Sequence, residues 1–80
     1  EDLDVAEPTQ LYALGRPGMK ASVVRDIQRA LKELGFNPGP IGGEYNDLTV
    51  AAVAAFQATK GLVVDGQVGP QTAKRLKVEL

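Results

Sequence analysis

The stretch GGEYNDLT at residues 42–49 recurs 23 residues later as DGQVGPQT at residues 65–72. Each copy consists of a glycine turn, an apolar residue, a residue suited to the start of a helix, and a threonine three residues further along. Because turn residues and helix-start residues recur in the same order, the two copies predict the same local structure twice. The sequence therefore predicts two similar turn-and-helix units that pack around one core.

Individual positions of the repeat have different predicted roles. Gly43 and Gly66 lack a Cβ and can adopt turn conformations that are closed to other residues. Asn46 and Gly69 release the chain into the following helix, and Asn is also a good N-cap. Tyr45, the apolar residue of the first copy, is expected to pack into the core, with contact to a surface groove as the alternative for its hydroxyl.

A helix is predicted ahead of the first copy, from Ser22 to Leu34. Its apolar residues recur at spacings of three and four with charged residues on the opposite face, which is typical of an amphipathic helix. Ser22 is the expected N-cap, and Gly35 supplies the left-handed residue that ends the helix. The apolar positions are Val23, Val24, Ile27, Ala30, Leu31 and Leu34.

Two further helices are predicted from the repeat itself. One runs from Asn46 to about Lys60 and ends at Gly61, and the other begins near Gly69-Pro70 with proline at its first position. The expected inward-facing residues are Leu48, Ala52, Val53 and Phe56 in the former and Thr72, Ala73 and Leu76 in the latter. The predicted fold class is all-α: a small three-helix domain built from a degenerate internal repeat with ordered Gly/Pro-rich loops.

The segments outside the helices are rich in proline and glycine, which cannot continue a helix. The loop at residues 35–40 is expected to be ordered, with Phe36 and Ile41 inserted into the core. Ahead of the first helix, a short apolar segment precedes a Pro-Gly turn. Its apolar residues are Leu11, Tyr12 and Leu14.

Residues 1–10 are acidic and lack a hydrophobic period, so we expect a tail or linker there and one domain at residues 11–80. Four of the ten acidic residues lie in the tail, which leaves residues 11–80 with nine basic and six acidic residues and a formal charge of +3. That charge is too small and too scattered to predict nucleic-acid binding. The chain begins with Glu1 rather than Met, which suggests a piece of a longer protein.

The composition excludes several classes of enzyme. The chain has 80 residues, neither Cys nor His, and a hydrophobic content of 44%, which together describe one small globular domain. Without a thiol or an imidazole, Ser-His-Asp, Cys-His and zinc-hydrolase chemistries are excluded within this chain.

The residues around Asp65 lack the alternating oxygen ligands of a calcium loop, so no metal or cofactor is expected. No apolar run approaches the roughly 18 residues that a membrane span requires.

Several motifs of the chain occur in the order typical of one family. They are Ile27-Gln28, Leu34-Gly35-Phe36, the two copies of the repeat, Ala52-Val53-Ala54-Ala55-Phe56-Gln57, and Gly61-Leu62. This ordered set, over roughly residues 14 to 76, resembles the peptidoglycan-binding domain of the three-helix type found in bacterial and phage cell-wall hydrolases. The resemblance implies a non-catalytic module that binds peptidoglycan through its stem peptide and tethers a linked enzyme or surface protein to the wall.

The first copy of the repeat departs from the family's pattern at two positions. Gly42 stands where the family has Asp, and Asn46 stands where it has Gly, whereas the second copy keeps both as Asp65 and Gly69. Because Asn tolerates left-handed and capping geometry, the fold is expected to survive the change. The missing carboxylate at Gly42 removes one polar group from the expected site on the first loop.

Two roles are open for Gln28 and Gln57, each of which follows a core residue: the amide either contacts a ligand or holds the backbone of an adjacent Gly-rich loop.

The loop from Asn37 to Glu44 and the start of the second helix form the expected ligand face, because a rigid loop beside free helix amides offers polar groups at low ordering cost. The candidate ligand-binding residues are Asn37, Glu44, Tyr45, Asn46, Asp47, Thr49, Gln57 and Asp65. The residues expected to be structural are Gln28, Gly43, Phe56, Gly66, Gly69 and Thr72.

Three functions from different classes are compatible with the sequence. The first is peptidoglycan binding by a monomer outside the cytoplasm (periplasmic, wall-bound or secreted) or by a phage-encoded protein that acts on the host wall. The second is a protein-interaction or inhibitory module, since the fold resembles matrix metalloproteinase prodomains, although the cysteine they use against zinc is absent. The third, a helix-turn-helix DNA binder, is disfavoured by the long Pro/Gly-rich connection and the small positive charge. No catalytic residue is expected, because three short helices cannot enclose a sugar between two carboxylates.

Overall fold

The computed structural model describes residues 11–80, so the predicted acidic tail at residues 1–10 lies outside the described residues. Three helices form the fold: α1 is Ala21–Glu33, α2 is Asp47–Thr59 and α3 is Pro70–Leu76. Within residues 11–80 the extended structure is limited to one antiparallel bridge, in which Tyr12 N donates to Val68 O at 2.9 Å and Val68 N donates to Tyr12 O at 2.8 Å. The predicted all-α, three-helix class is confirmed.

The core lies between α1 and the other two helices, both of which α1 contacts. Removing each large aliphatic or aromatic side chain from water contributes roughly 1.5 to 3 kcal/mol, so this small core supplies most of the stabilising free energy. Its fully buried apolar residues are Val24, Ile27, Leu31, Val53, Phe56 and Val68.

The helix starts use different devices. At α2 the predicted cap is confirmed, because Asn46 Oδ1 accepts a hydrogen bond from Thr49 N at 2.9 Å. At α3 proline occupies the first helical position as predicted, and the capping Gly69 has no side chain to add a hydrogen bond. The predicted cap of α1 is wrong: the N-cap is Lys20, two residues before Ser22, and no side chain there makes a capping bond.

All three helices end in the same way. The residue in the left-handed conformation is Gly35 after α1 (φ 94°), Gly61 after α2 (φ 70°) and Lys77 after α3 (φ 63°). In each case the next residue donates its N–H to a carbonyl five residues earlier, as in a Schellman motif, and its apolar side chain packs against the core. These pairs are Phe36 with Leu31, Leu62 with Gln57, and Val78 with Ala73. Lys77 differs from the other two residues because it has a Cβ. In the left-handed conformation a residue with a Cβ lowers the folding stability by about 1 kcal/mol relative to glycine.

Three leucines predicted or placed near the core are instead about half exposed: Leu14, Leu34 and Leu48, at 54%, 53% and 50%. Leu34 follows the last residue of α1, and Phe36 covers the core there, its ring meeting that of Phe56 edge-on at 6.0 Å. Leu48 lies in the first turn of α2 against the loop at Gly39 rather than inward. Leu14 lies in the turn closed by Arg16 N and Ala13 O.

The loop between α1 and α2 inserts a different residue from one of those predicted. Phe36 packs against the core as expected, but Ile41 is only partly buried, whereas Pro38 is fully buried. The Pro38 carbonyl accepts a hydrogen bond from Thr49 Oγ1 at 2.8 Å, which ties the middle of the loop to α2. Its residues, 34–46, make a connection longer than the short turn of a helix-turn-helix motif.

Gly66 and Gly61 provide a matched test of backbone packing, because both have φ near +70°. A Cβ at Gly61 would meet nothing within 4 Å, whereas at Gly66 it would lie 2.8 Å from Val50 Cγ1. We expect Gly61→Ala to lower the free energy of unfolding by about 1 kcal/mol from backbone strain alone. Gly66→Ala should cost about 1 to 3 kcal/mol more, because it also overpacks the contact with α2. Urea unfolding of the two variants measures the difference, and equal losses would contradict the close approach.

Candidate functional site

The side-chain amide of Gln57 is buried and bound on both of its polar atoms. Gln57 Oε1 accepts hydrogen bonds from the backbone N–H groups of Asp65, at 3.0 Å, and Gly66, at 2.9 Å. Gln57 Nε2 lies 2.8 Å from the carbonyl of Gln67 and 3.1 Å from Thr72 Oγ1, within donating distance of both. We call this set of contacts the second clamp, and it fixes the loop between α2 and α3 to the body of α2.

Gln28 makes the corresponding contacts with the first copy of the repeat. Its Oε1 accepts from Gly43 N at 3.2 Å, and its Nε2 donates to the Glu44 carbonyl at 2.9 Å and to Thr49 Oγ1 at 3.1 Å. Each of these partners lies 23 residues before its counterpart in the second clamp. We call this set the first clamp. Of the two roles left open by the sequence, both amides hold a Gly-rich loop.

The two departures from the family's pattern have visible effects on these loops. Asp65 Oδ1 accepts from Gln57 Nε2 at 3.0 Å and from Gln67 N at 2.9 Å, so the carboxylate braces its own turn. At the corresponding Gly42 no side chain can do this. Asn46, in contrast, adds a capping bond that Gly69 cannot make. Compared with the second loop, the first loop therefore lacks the carboxylate hydrogen bonds at Gly42 and has an additional capping hydrogen bond at Asn46.

Tyr45 joins the two loops to each other. Its side chain is buried, and its hydroxyl donates to the Gly66 carbonyl at 2.7 Å. Burial, with a smaller contribution from the negative charge of Asp65, raises the pKa of the Tyr45 hydroxyl above its ordinary value. The first copy of the repeat thus contributes a hydrogen-bond donor to the turn of the second.

Half of the predicted ligand-binding residues are buried or half-buried and support the loops: Tyr45, Asn46, Thr49 and Gln57. Tyr45, Thr49 and Gln57 are at most 4% exposed, and their polar atoms are engaged within the chain. A ligand reaches these polar atoms only if the internal hydrogen bonds break. The three side chains support the loops in this structure, and their contact with a ligand stays a prediction. Asn46 is half-buried and caps α2.

Four residues of the predicted ligand set are exposed: Asn37, Glu44, Asp47 and Asp65. Asn37 Oδ1 accepts from Gly39 N at 3.1 Å and so helps to order its own loop, as Asp65 does in the other. Glu44 and Asp47 lie at the end of the first loop and in the first turn of α2. The residues predicted to be structural lie at the turns, clamps and helix starts expected of them, and Phe56 is in the core.

The surface grooves among the described residues include the following three. One of about 410 Å³ follows the second loop and the start of α3, where Asp65, Gln67 and Gln71 meet the apolar Leu11 and Val63. Another, of about 530 Å³, lies beside Gly43 and Tyr45. The largest, about 680 Å³, lies where the ends of the helices meet and is lined in part by Lys60, Arg75 and Lys77.

Sequence reasoning missed this largest groove. Lys77-Val78 occupies the position after α3 that Gly35-Phe36 and Gly61-Leu62 occupy after the other two helices, but this match does not show that the three helix ends converge.

Comparison with known families agrees with this architecture. A sequence model of the family described as a peptidoglycan binding domain matches residues 20–76, which include all three helices and both clamps. The chain belongs to the peptidoglycan-binding domain family. Among solved structures, the SleB N-terminal domain resembles it with a TM-score of 0.73 and 34% sequence identity, over 85% of this chain and 89% of that one.

Two curated relatives of this peptidoglycan-binding domain come from Bacillus licheniformis. The N-acetylmuramoyl-L-alanine amidase CwlL is 39% identical over 79 residues, 91% of this chain and 22% of the relative. A second protein, named "Probable N-acetylmuramoyl-L-alanine amidase", is 40% identical over 63 residues, 76% of this chain and 18% of the relative. The chain therefore spans about a fifth of the length of the curated relatives it matches.

The domain offers no obvious place for a metal or a membrane span within residues 11–80. No group of three or more Asp, Glu, His or Cys residues in this range is arranged to hold a metal ion. None of the described helices has the length and apolar character needed to cross a bilayer.

Replacing each clamp glutamine by glutamate tests what the amides do. Gln57→Glu keeps the shape but puts an acceptor opposite the Gln67 carbonyl and the Asp65 carboxylate, so we expect it to lower the free energy of unfolding by about 3 to 5 kcal/mol at pH 7. Gln28→Glu faces a carbonyl and a hydroxyl but no carboxylate, so it should cost at least about 1 kcal/mol less.

The pH dependence of these variants supplies the control. Burial beside an acceptor raises the folded-state pKa of the introduced carboxyl above its unfolded value of about 4.3. The variant's stability is therefore greatest below that unfolded pKa and is lost as pH rises through the folded pKa. Urea unfolding at pH 4 and pH 7 should show the recovery at low pH, more strongly for Gln57→Glu. A loss that is the same at both pH values, or the same for both variants, contradicts the assigned hydrogen bonds.

Tyr45→Phe tests the link between the loops. Because it leaves the Gly66 carbonyl without its buried donor, we expect a loss of about 1 to 3 kcal/mol at pH 7. The raised pKa of the Tyr45 hydroxyl means that wild-type stability is intact below about pH 10, the unfolded pKa, and is lost as pH rises beyond it. Unfolding measured from pH 8 to 11 should therefore show a shallower alkaline decline in the variant. Parallel declines contradict burial of this hydroxyl.

Proposed function

We propose that this peptidoglycan-binding domain is non-catalytic, recognises the stem peptide of the wall, and keeps a linked cell-wall enzyme or surface protein at its substrate. It acts outside the cytoplasm, as a monomer. The observation that carries the proposal is the pair of clamped loops. Buried amides fix their backbone, and each loop contributes exposed polar groups to a surface groove of its own. The choice of peptidoglycan as the ligand is supported by membership of the peptidoglycan-binding domain family.

A clamped loop suits the binding of a short flexible peptide. Binding costs free energy when loops and side chains must be ordered, and a loop that is already fixed avoids most of that cost. Gln57 and Gln28 supply this order from inside the fold, without contacting the ligand. The same argument explains why no deep cavity is needed in a domain of this size.

The exposed side of the loops offers groups that match a stem peptide. Along the groove of the second loop, Asp65 and the amides of Gln67 and Gln71 accept or donate hydrogen bonds to peptide groups, while Val63 and Leu11 pack against alanyl methyls. Asn37, Glu44 and Asp47 offer further exposed polar groups on the first loop and at the start of α2. Their carboxylates accept hydrogen bonds from peptide N–H and ammonium groups.

The proposal of a purely binding role is supported by the chemistry available. The chain has no His or Cys, which removes the commonest general base and the thiol nucleophile. Of its exposed carboxylates, Asp65 is already bound to its own turn. A tethered module contributes to catalysis by effective concentration, since even weak binding keeps a linked enzyme beside an insoluble substrate.

Retention on purified sacculi tests the function directly. We expect the folded 80-residue chain to sediment with sacculi, and soluble stem peptide to displace it where glycan strands without peptide do not. Retention no greater than that of the heat-unfolded chain would overturn wall binding. Displacement by bare glycan alone would keep wall binding and overturn the choice of stem peptide, and capture of one stoichiometric protein without wall affinity would favour an interaction module.

Amide chemical shifts test the binding face. On titration with a defined muropeptide, we expect the largest changes within residues 37–49 and 65–72, because these contain the exposed groups of the clamped loops. Saturable binding that leaves both ranges unshifted would contradict this face while leaving the wall-binding role intact.

A further inference from the structure

The largest of the three grooves, about 680 Å³, combines an apolar floor with charges of both signs. Leu34 supplies exposed apolar surface, and the buried Phe56 and Leu76 lie beneath the floor. It is built where the C-terminal ends of α1, α2 and α3 come together, and it shares no lining residue with the groove of the second loop. It is therefore a separate surface from the clamped-loop face.

The charges in this groove are only partly neutralised within the chain. Arg29 Nη1 lies 3.0 Å from Asp26 Oδ1, which pairs those two residues. Among residues 11–80, no ion pair joins the remaining charged lining residues, which are Lys60, Arg75, Lys77, Glu33 and Glu79. Three cations thus face two carboxylates, and the excess of positive charge favours a ligand that carries a carboxylate.

Lys77 has a backbone conformation that glycine adopts more readily than lysine. It holds a left-handed conformation at the end of α3, where the other two helices end in glycine. Glycine would fit this conformation without the steric strain that a Cβ introduces. A residue that sacrifices stability while lining a groove is a pointer to function, since strained positions persist where they serve a site.

The groove also favours a positive group on the same ligand. Three helix C-termini lie around it, and the negative ends of their dipoles attract a cation, as do Glu33 and Glu79. A nucleic acid or another polyanion would be repelled by these groups. The matching ligand is a short peptide with both a free carboxylate and a free amine beside small apolar side chains.

We infer that the groove at the helix ends binds the diamino-acid part of the stem peptide, with Lys77 and Arg75 as its carboxylate ligands. This inference rests on the proposed function and adds a second contact region to the clamped-loop face. Glu33 and Glu79 receive the amine, and the exposed side chain of Leu34 contacts alkyl carbons. With two contact regions, the domain discriminates between stem peptides of different composition better than it would with the clamped-loop face alone.

Calorimetric titration of the 80-residue chain tests the inference with a stem tripeptide that ends in a diamino acid with a free amine and a free carboxylate. The variants are Lys77→Gly and Arg75→Gln, with Lys74→Gln as a control that removes the same charge from α3 outside the groove. We expect each groove variant to weaken binding about fivefold to tenfold, and the control less than twofold. Amidation of the diamino-acid carboxylate should weaken wild-type binding to a similar degree.

Thermal unfolding separates binding from folding. Because Lys77→Gly relieves backbone strain, its midpoint should rise by about 4 °C while its affinity falls, a combination that damage to the fold cannot produce. If the wild type binds the tripeptide and both groove variants bind equally well, the inference is overturned and the proposed function stands. If the wild type binds neither sacculi nor the tripeptide, both are overturned.

Discussion

The buried amide of Gln57 is the interaction on which the rest of the structure depends. A tight turn directs successive N–H groups inward, where no helix or strand can pair with them, and a buried donor without a partner costs about 1 to 3 kcal/mol. One side chain accepts hydrogen bonds from two such donors, and its Nε2 lies within donating distance of three oxygen atoms. Gln28 solves the same problem in the first loop, so a domain without disulfides keeps two long loops fixed.

The sequence predicted the features that follow from local chemistry. Asn46 as a cap, proline at the start of α3, and glycine at the turns and after two helices each have one physical reason that is visible in the chain itself. The exposure of Leu34 and Leu48 was missed because helical period says which face a residue shares and not where neighbouring loops cover that face. The burial of Pro38 likewise depends on its hydrogen-bonded contact with α2.

The candidate site was less predictable than the fold. Pattern alone left Gln57 with two roles, because an amide that binds a ligand and one that binds a loop look the same in sequence. Only the three-dimensional path of residues 65–67 shows that its polar atoms are already occupied. The groove at the helix ends could not be predicted from any one motif, since it needs all three helix ends to converge. A domain of this kind therefore presents rigid surfaces rather than a pocket, which suits a module that works through attachment.

Native-state hydrogen exchange of the Gly43 and Gly66 amides tests the central claim, that two buried glutamines fix the loops, most directly. Both N–H groups are bonded only to a glutamine Oε1 among the described contacts, so their protection reports on the clamps themselves. We expect them to exchange only when the whole domain unfolds, with protection equal to that of the central amides of α2. Exchange at the rate of an open loop, while α2 stays protected, would contradict the account.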